Sequence, residues 1–123
     1  MEKLKRPKET EGKTIRINSG CGHMYVTITK VNGQIFEVFA HLGKGGGCAV
    51  AQLEGMTRAI TVGLKYGVPV AEYIKQLENI RCVAPSLDPN PDIDESEPIL
   101  SCADAIAKAL KWQNNIEKEK GKE

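Results

Sequence analysis

The segment HLGKGGGCAVAQLEGMTRAI, residues 41–60, places a run of glycines between a strand-like stretch and a helix-like one. Backbone N–H groups at a helix start have no intrahelical acceptor and carry the positive end of the helix dipole, so such a loop favours anions. Lys44 adds a charge, and Gly45, Gly46 and Gly47 present no side chains that would block approach. The loop is not a Walker A motif, because no Gly-Lys-Ser/Thr follows at the required spacing. Nor is it the dinucleotide fingerprint, since Cys48 occupies the third glycine position. Two readings stay open here: an anion cradle, or a chain reversal that needs positive φ.

Arg58 lies four residues after Glu54, the orientation that suits an ion pair along a helix. A solvated pair of that kind contributes at most about 1 kcal/mol. The alternative is a guanidinium fork offered to a phosphate, and Arg16 and Arg81 carry the same two readings. Catalytic chemistry has less to stand on. Cys21 and His23 sit two apart, yet no third group is recognisable that would orient them as nucleophile and base. The acids between 88 and 97 lack a fixed geometry for paired-carboxylate work. No catalytic residue, cofactor site or metal site is therefore assigned, and nothing in these residues compels an enzyme. The four cysteines, Cys21, Cys48, Cys82 and Cys102, are far apart with no C-x-x-C pair. They read either as small buried hydrophobes or as a four-thiolate zinc site drawn from separate segments.

The elements that must position these residues follow from composition and pattern. The chain has 123 residues, 41% of them hydrophobic and 27% charged, which suits one globular domain with a modest core. Seventeen Lys and Arg against sixteen acids leave no bulk basicity for binding a nucleic-acid polymer. No apolar run spans a bilayer and the N-terminus lacks a signal core, so the cytoplasm is the expected compartment and no membrane partner is expected. Residues 1–13 read as a charged, mobile or loosely docked tail, 14–116 as one domain, and 117–123 as a charged C-terminal tail.

TIRINSG alternates as a half-buried strand, and CGHMYVTITKV supplies a second with Met24, Val26 and Ile28 on one face. Asn32-Gly33 offers a type I′ hairpin turn into a third strand, QIFEVFAHL. A helix is expected from about Cys48 to Tyr66, with Val50, Leu53, Met56 or Thr57, Ile60 and Leu64 inward. A second stripe on it, Ala51, Gly55, Ala59 and Gly63, suggests close packing on the sheet or on another copy of the helix. Gly67 and Pro69 end that helix and open a short amphipathic one with Val70, Ile74 and Leu77 inward. Residues 84–98 are rich in proline and acid and read as a solvated or a ligand-covering loop. Ser101 and Asp104 approximate a capping box for the last helix, whose buried face is Cys102, Ala105, Ile106, Ala109 and Leu110, with Lys108, Lys111 and Trp112 projecting elsewhere. The expected fold is α+β: an antiparallel meander of about three strands followed by about three helices packed on it.

Taken together, SGCGHMYVTI, FEVFAHLGKGGGCAVAQLEGMTRAI, IKQLENIRCVAPS and ILSCADAIAKAL resemble the TSCPD domain, known chiefly as a C-terminal part of cobalamin-dependent (class II) ribonucleotide reductases. The Thr-Ser-Cys-Pro-Asp motif is LSCAD here, so Leu100 and Ala103 depart from it. As a stand-alone chain the sequence is similar to the phage anti-Thoeris sponge family. That resemblance implies sequestration of cyclic ADP-ribose isomers, and of cyclic oligonucleotides in some members, without cleavage. It also implies assembly through dimers into hexamers. On this reading Lys44 to Gly47, Arg58, Arg81 and Arg16 meet the phosphates, and Tyr25, Phe36 or Trp112 offers a base platform. The alternative is a detached accessory domain of a class II reductase, acting through protein contacts or through a zinc site built from the four cysteines.

Overall fold

The computed structural model of the protein describes residues 2–20, 22–43, 47–82, 85 and 98–121. Three strands, β1 (Glu11–Ser19), β2 (Gly22–Val31) and β3 (Gln34–Leu42), are followed by three helices, α1 (Gly47–Lys65), α2 (Val70–Leu77) and α3 (Cys102–Gly121). The expected α+β architecture is the one observed. The sheet order is β1-β2-β3, antiparallel throughout. Asn32 and Gly33 both take positive φ, 53° and 77°, as a type I′ turn between β2 and β3 requires. One irregularity interrupts the register between Thr29 and Lys30.

Alternation divides the sheet cleanly. Ile15, Ile17, Met24, Val26, Ile28 and Val38 face inward and are buried. α3 crosses this inner face, touching all three strands and α2. Seven successive residues, 104–110, are buried, which a helix attains only when it is enclosed on every side. Lys108, expected to project outward, is thus inside the fold at 6% exposure. It is tolerated there because Asp104 lies one helical turn away to neutralise it.

α1 lies along the edge of the described sheet formed by β3, and one hydroxyl explains how. Thr61 Oγ1 accepts the Val38 N–H at 3.1 Å and donates to the Val38 carbonyl at 3.0 Å. Both groups would otherwise be open edge positions for another strand. Leu53, Thr57, Ile60 and Leu64 take the inward side of α1. Val50, expected among them, is 38% exposed. The stripe of small residues lies on the far side: Ala51, Gly55 and Ala59 are exposed, and a Cβ on Gly55 would meet nothing within 4 Å. Packing of that stripe on the sheet is therefore ruled out, because the larger apolar residues half a turn away occupy the sheet-facing side. Only Gly63 has a close neighbour, the Tyr73 hydroxyl of α2.

The N-terminal segment is tied at two points. Leu4 N–H donates to the Lys65 carbonyl at 2.9 Å, and the Arg6 guanidinium meets Glu37 at 3.1 Å. β1 also starts at Glu11, earlier than the alternation suggests, because Glu11 to Lys13 find partners in Ile28 to Lys30. At the other end of α1, Gly67 has φ 95°, the left-handed conformation that glycine allows after a helix.

Candidate functional site

The outer face of the sheet differs from the inner one. Arg16 of β1 stands opposite Tyr25 of β2, and Tyr25 opposite His41 of β3, so three strands contribute one row. Tyr25 and His41 stack with ring centroids 5.4 Å apart and planes 20° from parallel. Thr14, Thr27 and Phe39 form the next row; the two threonine hydroxyls are 2.7 Å apart and Phe39 is 44% exposed. On the other side Asn18 faces His23, with Oδ1 2.7 Å from Nδ1. None of these eight side chains is a carboxylate. This part of the face is thus neutral to positive, with aromatic surface open to solvent at Phe39.

Gly43 joins this face to the glycine loop. Its N–H donates to the His23 carbonyl at 2.9 Å, and a Cβ there would come within 3.3 Å of the Tyr25 ring. A glycine at this position lets the chain leave β3 flat against Tyr25. α1 begins at Gly47. Lys44, Gly45 and Gly46, named as the anion cradle, lie outside the described residues. An arginine, a stacked aromatic pair and the exit of a glycine loop suit a phosphate beside a planar base.

Two of the residues expected at the site, Arg16 and Tyr25, are brought together here. The others are dispersed. Arg58 sits on the solvent side of α1, 76% exposed, with Nη2 2.8 Å from Glu54 Oε1. The ion pair that the spacing allows is formed. Arg81 is exposed in the segment after α2, beside Cys82, whose N–H donates to the Leu100 carbonyl. Trp112 is half-buried against the core on α3. Phe36 is 3% exposed beneath the Lys65 ammonium, 5.2 Å from its ring centroid, and presents no platform. His41 was not singled out as a stacking partner. The Asn32-Gly33 turn alone would set Ala40 opposite Tyr25; the irregularity between Thr29 and Lys30 shifts the register by one residue and brings His41 there instead.

A second polar centre lies on the same sheet face near the hairpin end. Glu37 is 2% exposed and accepts from Thr29 Oγ1 at 3.1 Å, from Arg6 Nε at 3.1 Å and from Lys65 Nζ at 3.2 Å. Burial by itself would raise the Glu37 pKa; hydrogen bonds from Lys65, Thr29 and Arg6, with the Lys65 charge, outweigh it and hold the carboxyl below its ordinary 4.5. Periodicity gave no hint of this cluster.

The LSCAD segment is the third. Ser101 Oγ accepts the Asp104 N–H at 3.0 Å, the N-terminal cap expected for α3. Asp104 then accepts from Asn79 N–H at 2.7 Å, Leu100 N–H at 2.9 Å and Lys108 Nζ at 2.6 Å. Lys108 donates further to the Pro98 carbonyl at 2.8 Å. One carboxylate thus joins the end of α2, the approach to α3 and α3 itself. That gives the serine and aspartate of the motif a structural role. Ala103 in place of proline changes none of these bonds.

Cys82 and Cys102 are half-buried; Cys21 and Cys48 side chains lie outside the described ones. Among the described residues no group of three or more His, Cys, Asp or Glu side chains could hold a metal ion. Among them, too, no helix is long and apolar enough to cross a membrane.

A three-stranded meander carrying three helices, with a carboxylate lock at the start of the last one, defines a small α+β domain. The TSCPD domain matches residues 2–113, and the chain belongs to that family. It is 28% identical over 95 residues to a vitamin B12-dependent ribonucleotide reductase of Streptantibioticus cattleyicolor, covering 76% of this chain and 16% of the relative. The corresponding reductase of Agrobacterium fabrum is 32% identical over 75 residues, covering 60% of this chain and 6% of the relative. In Streptomyces clavuligerus the values are 27% over 95 residues, and 10% of the relative. The chain therefore spans a small fraction of the length of these reductases. No solved structure matches it.

Proposed function

We propose that this TSCPD domain is a non-catalytic nucleotide binder that sequesters a cyclic ADP-ribose isomer, as an anti-Thoeris sponge does. The observation that carries the binding part is the solvent-open row of Arg16, Tyr25 and His41 beside Gly43. Arg16 and the N–H groups of the glycine loop, with Lys44, take the pyrophosphate; the Tyr25–His41 stack takes the adenine. Arg58 offers a further phosphate contact from the exposed side of α1, and Arg81 remains a candidate further away. The exposed Ala51, Gly55 and Ala59, flanked by Val62 at 49% exposure, form the contact between copies in a homo-oligomer.

Calorimetry with cyclic ADP-ribose isomers and cyclic oligonucleotides tests the binding. Losing a charge-assisted hydrogen bond costs about 1.5–3 kcal/mol, roughly ten- to hundredfold in affinity. Arg16→Ala and Arg58→Ala are each expected to weaken binding at least about tenfold while leaving the melting temperature in place. Tyr25→Ala is expected to weaken binding similarly through lost stacking, worth about 1–3 kcal/mol per base. Heat-released ligand should be chemically unchanged. Unaltered affinity in Arg16→Ala and Tyr25→Ala would move the site off this face, and unaltered affinity in Arg58→Ala would return Arg58 to its pair with Glu54.

The oligomer is a separate expectation. Light scattering at micromolar concentration should give a dimer or hexamer, and Gly55→Glu should dissociate it. A lone 13.4 kDa species for the native chain would count against both the contact and the sponge.

The names of the relatives support a second reading, an accessory domain serving a vitamin B12-dependent ribonucleotide reductase. On that reading the chain associates with a reductase lacking its own TSCPD region and binds no cyclic nucleotide. About one zinc per purified chain would add weight to it.

A further inference from the structure

A cavity of about 500 Å³ lies at the C-terminal end of α1, where the N-terminal segment, the start of β3, α1, the start of α2 and α3 meet. The start of β3 contributes Gln34 and Ile35, α1 contributes Leu64, the start of α2 contributes Val70, and α3 contributes Asn114. Leu4 of the N-terminal segment forms a further wall beside Gly67, Val68 and Pro69, held there by its own N–H bond to the Lys65 carbonyl at 2.9 Å. The volume falls within the range of small-molecule sites, about 300–1,000 Å³.

Its lining has an unusual composition for this protein. Although 27% of the chain is charged, no charged side chain lines the cavity among the described residues. An anion there finds no counter-charge, so this is not a second phosphate site. Leu4, Ile35, Leu64 and Val70 offer apolar surface for a flat ring. Gln34 and Asn114 are carboxamides from separate elements, each with a donor and an acceptor side by side. That pairing complements a donor–acceptor edge on a neutral heterocycle, as carboxamides do when they read an adenine edge.

We propose that this cavity binds a neutral nitrogen heterocycle of the nucleobase type, with Gln34 and Asn114 on its polar edge and Leu4 closing over its face. The site is independent of the Arg16–Tyr25–His41 face, so its failure and the failure of the sponge reading are distinguishable. Methyl resonances of Leu4, Ile35, Leu64 and Val70 report on the cavity, and adenine and cytosine are the probes, with inorganic phosphate as the contrast. The expected result is a saturable shift of these methyls with a base at about millimolar concentration and none with phosphate. Gln34→Ala and Asn114→Ala should each weaken it about tenfold, one hydrogen bond's worth. Gln34 is solvent-exposed, so its variant keeps the fold. Absence of saturable shifts with either base, or equal base affinity in the wild type and both carboxamide variants, would overturn the proposal.

Discussion

Asp104→Ala is expected to destabilise the domain by about 3–5 kcal/mol, the usual cost of removing one partner of a buried ion pair. The variant leaves the Lys108 ammonium at 6% exposure without its carboxylate, and removes the acceptor for the Asn79 and Leu100 N–H groups. For a domain of this size that corresponds to a fall in melting temperature of about 10–20 °C. Thermal unfolding followed by circular dichroism measures it. Asp104→Ala combined with Lys108→Met should recover part of the loss, because the stranded charge is gone and only the unpaired N–H groups remain. A single variant that melts within about 1 kcal/mol of the wild type would show that the carboxylate does not hold the helices together. The same carboxylate ties the start of α3 to the end of α2, and α3 also carries Asn114, which lines the cavity.

Glu37→Ala should cost about 2–4 kcal/mol, since Lys65 and Thr29 lose their acceptor in a buried setting and the N-terminal segment loses its Arg6 anchor. The same residue predicts the acid behaviour. Its pKa is lower folded than in the unfolded chain, so the unfolded state binds its proton first as pH falls. The stability it contributes is fully present above the ordinary 4.5 and is lost as pH drops through the lower folded value. Glu37→Gln, which cannot titrate, should flatten the dependence of melting temperature on pH below about 4.5 while costing less than the alanine variant at neutral pH. An identical acid slope in wild type and Glu37→Gln would assign the acid sensitivity to other carboxylates.

What the amino-acid order determined by itself is whatever depends on neighbours in sequence. The period-two alternation of Met24, Val26 and Ile28 sorts β2 into faces, and Asn32-Gly33 selects the turn that pairs it with β3. Gly67 ends α1, and Ser101 with Asp104 starts α3, because capping and positive φ are decided within a few residues. Arg58 finds Glu54 for the same reason. The family, too, was readable in the segments around the cysteines and LSCAD.

Tertiary structure decided the rest, because it depends on residues distant in sequence. Val50 and the small stripe of α1 could be phased toward or away from the sheet by periodicity alone. The placement of Thr61 on the Val38 edge settles the phase and turns Gly55 outward. Lys108 reads as a surface lysine until α2 and the sheet enclose α3, and the burial of Glu37 comes only from the convergence of Arg6, Thr29 and Lys65 on it. Arg16, Tyr25 and His41 come from three strands, and only the antiparallel register makes them one row. Local interactions choose elements; which charges are buried and which side chains share a face is set when the elements meet.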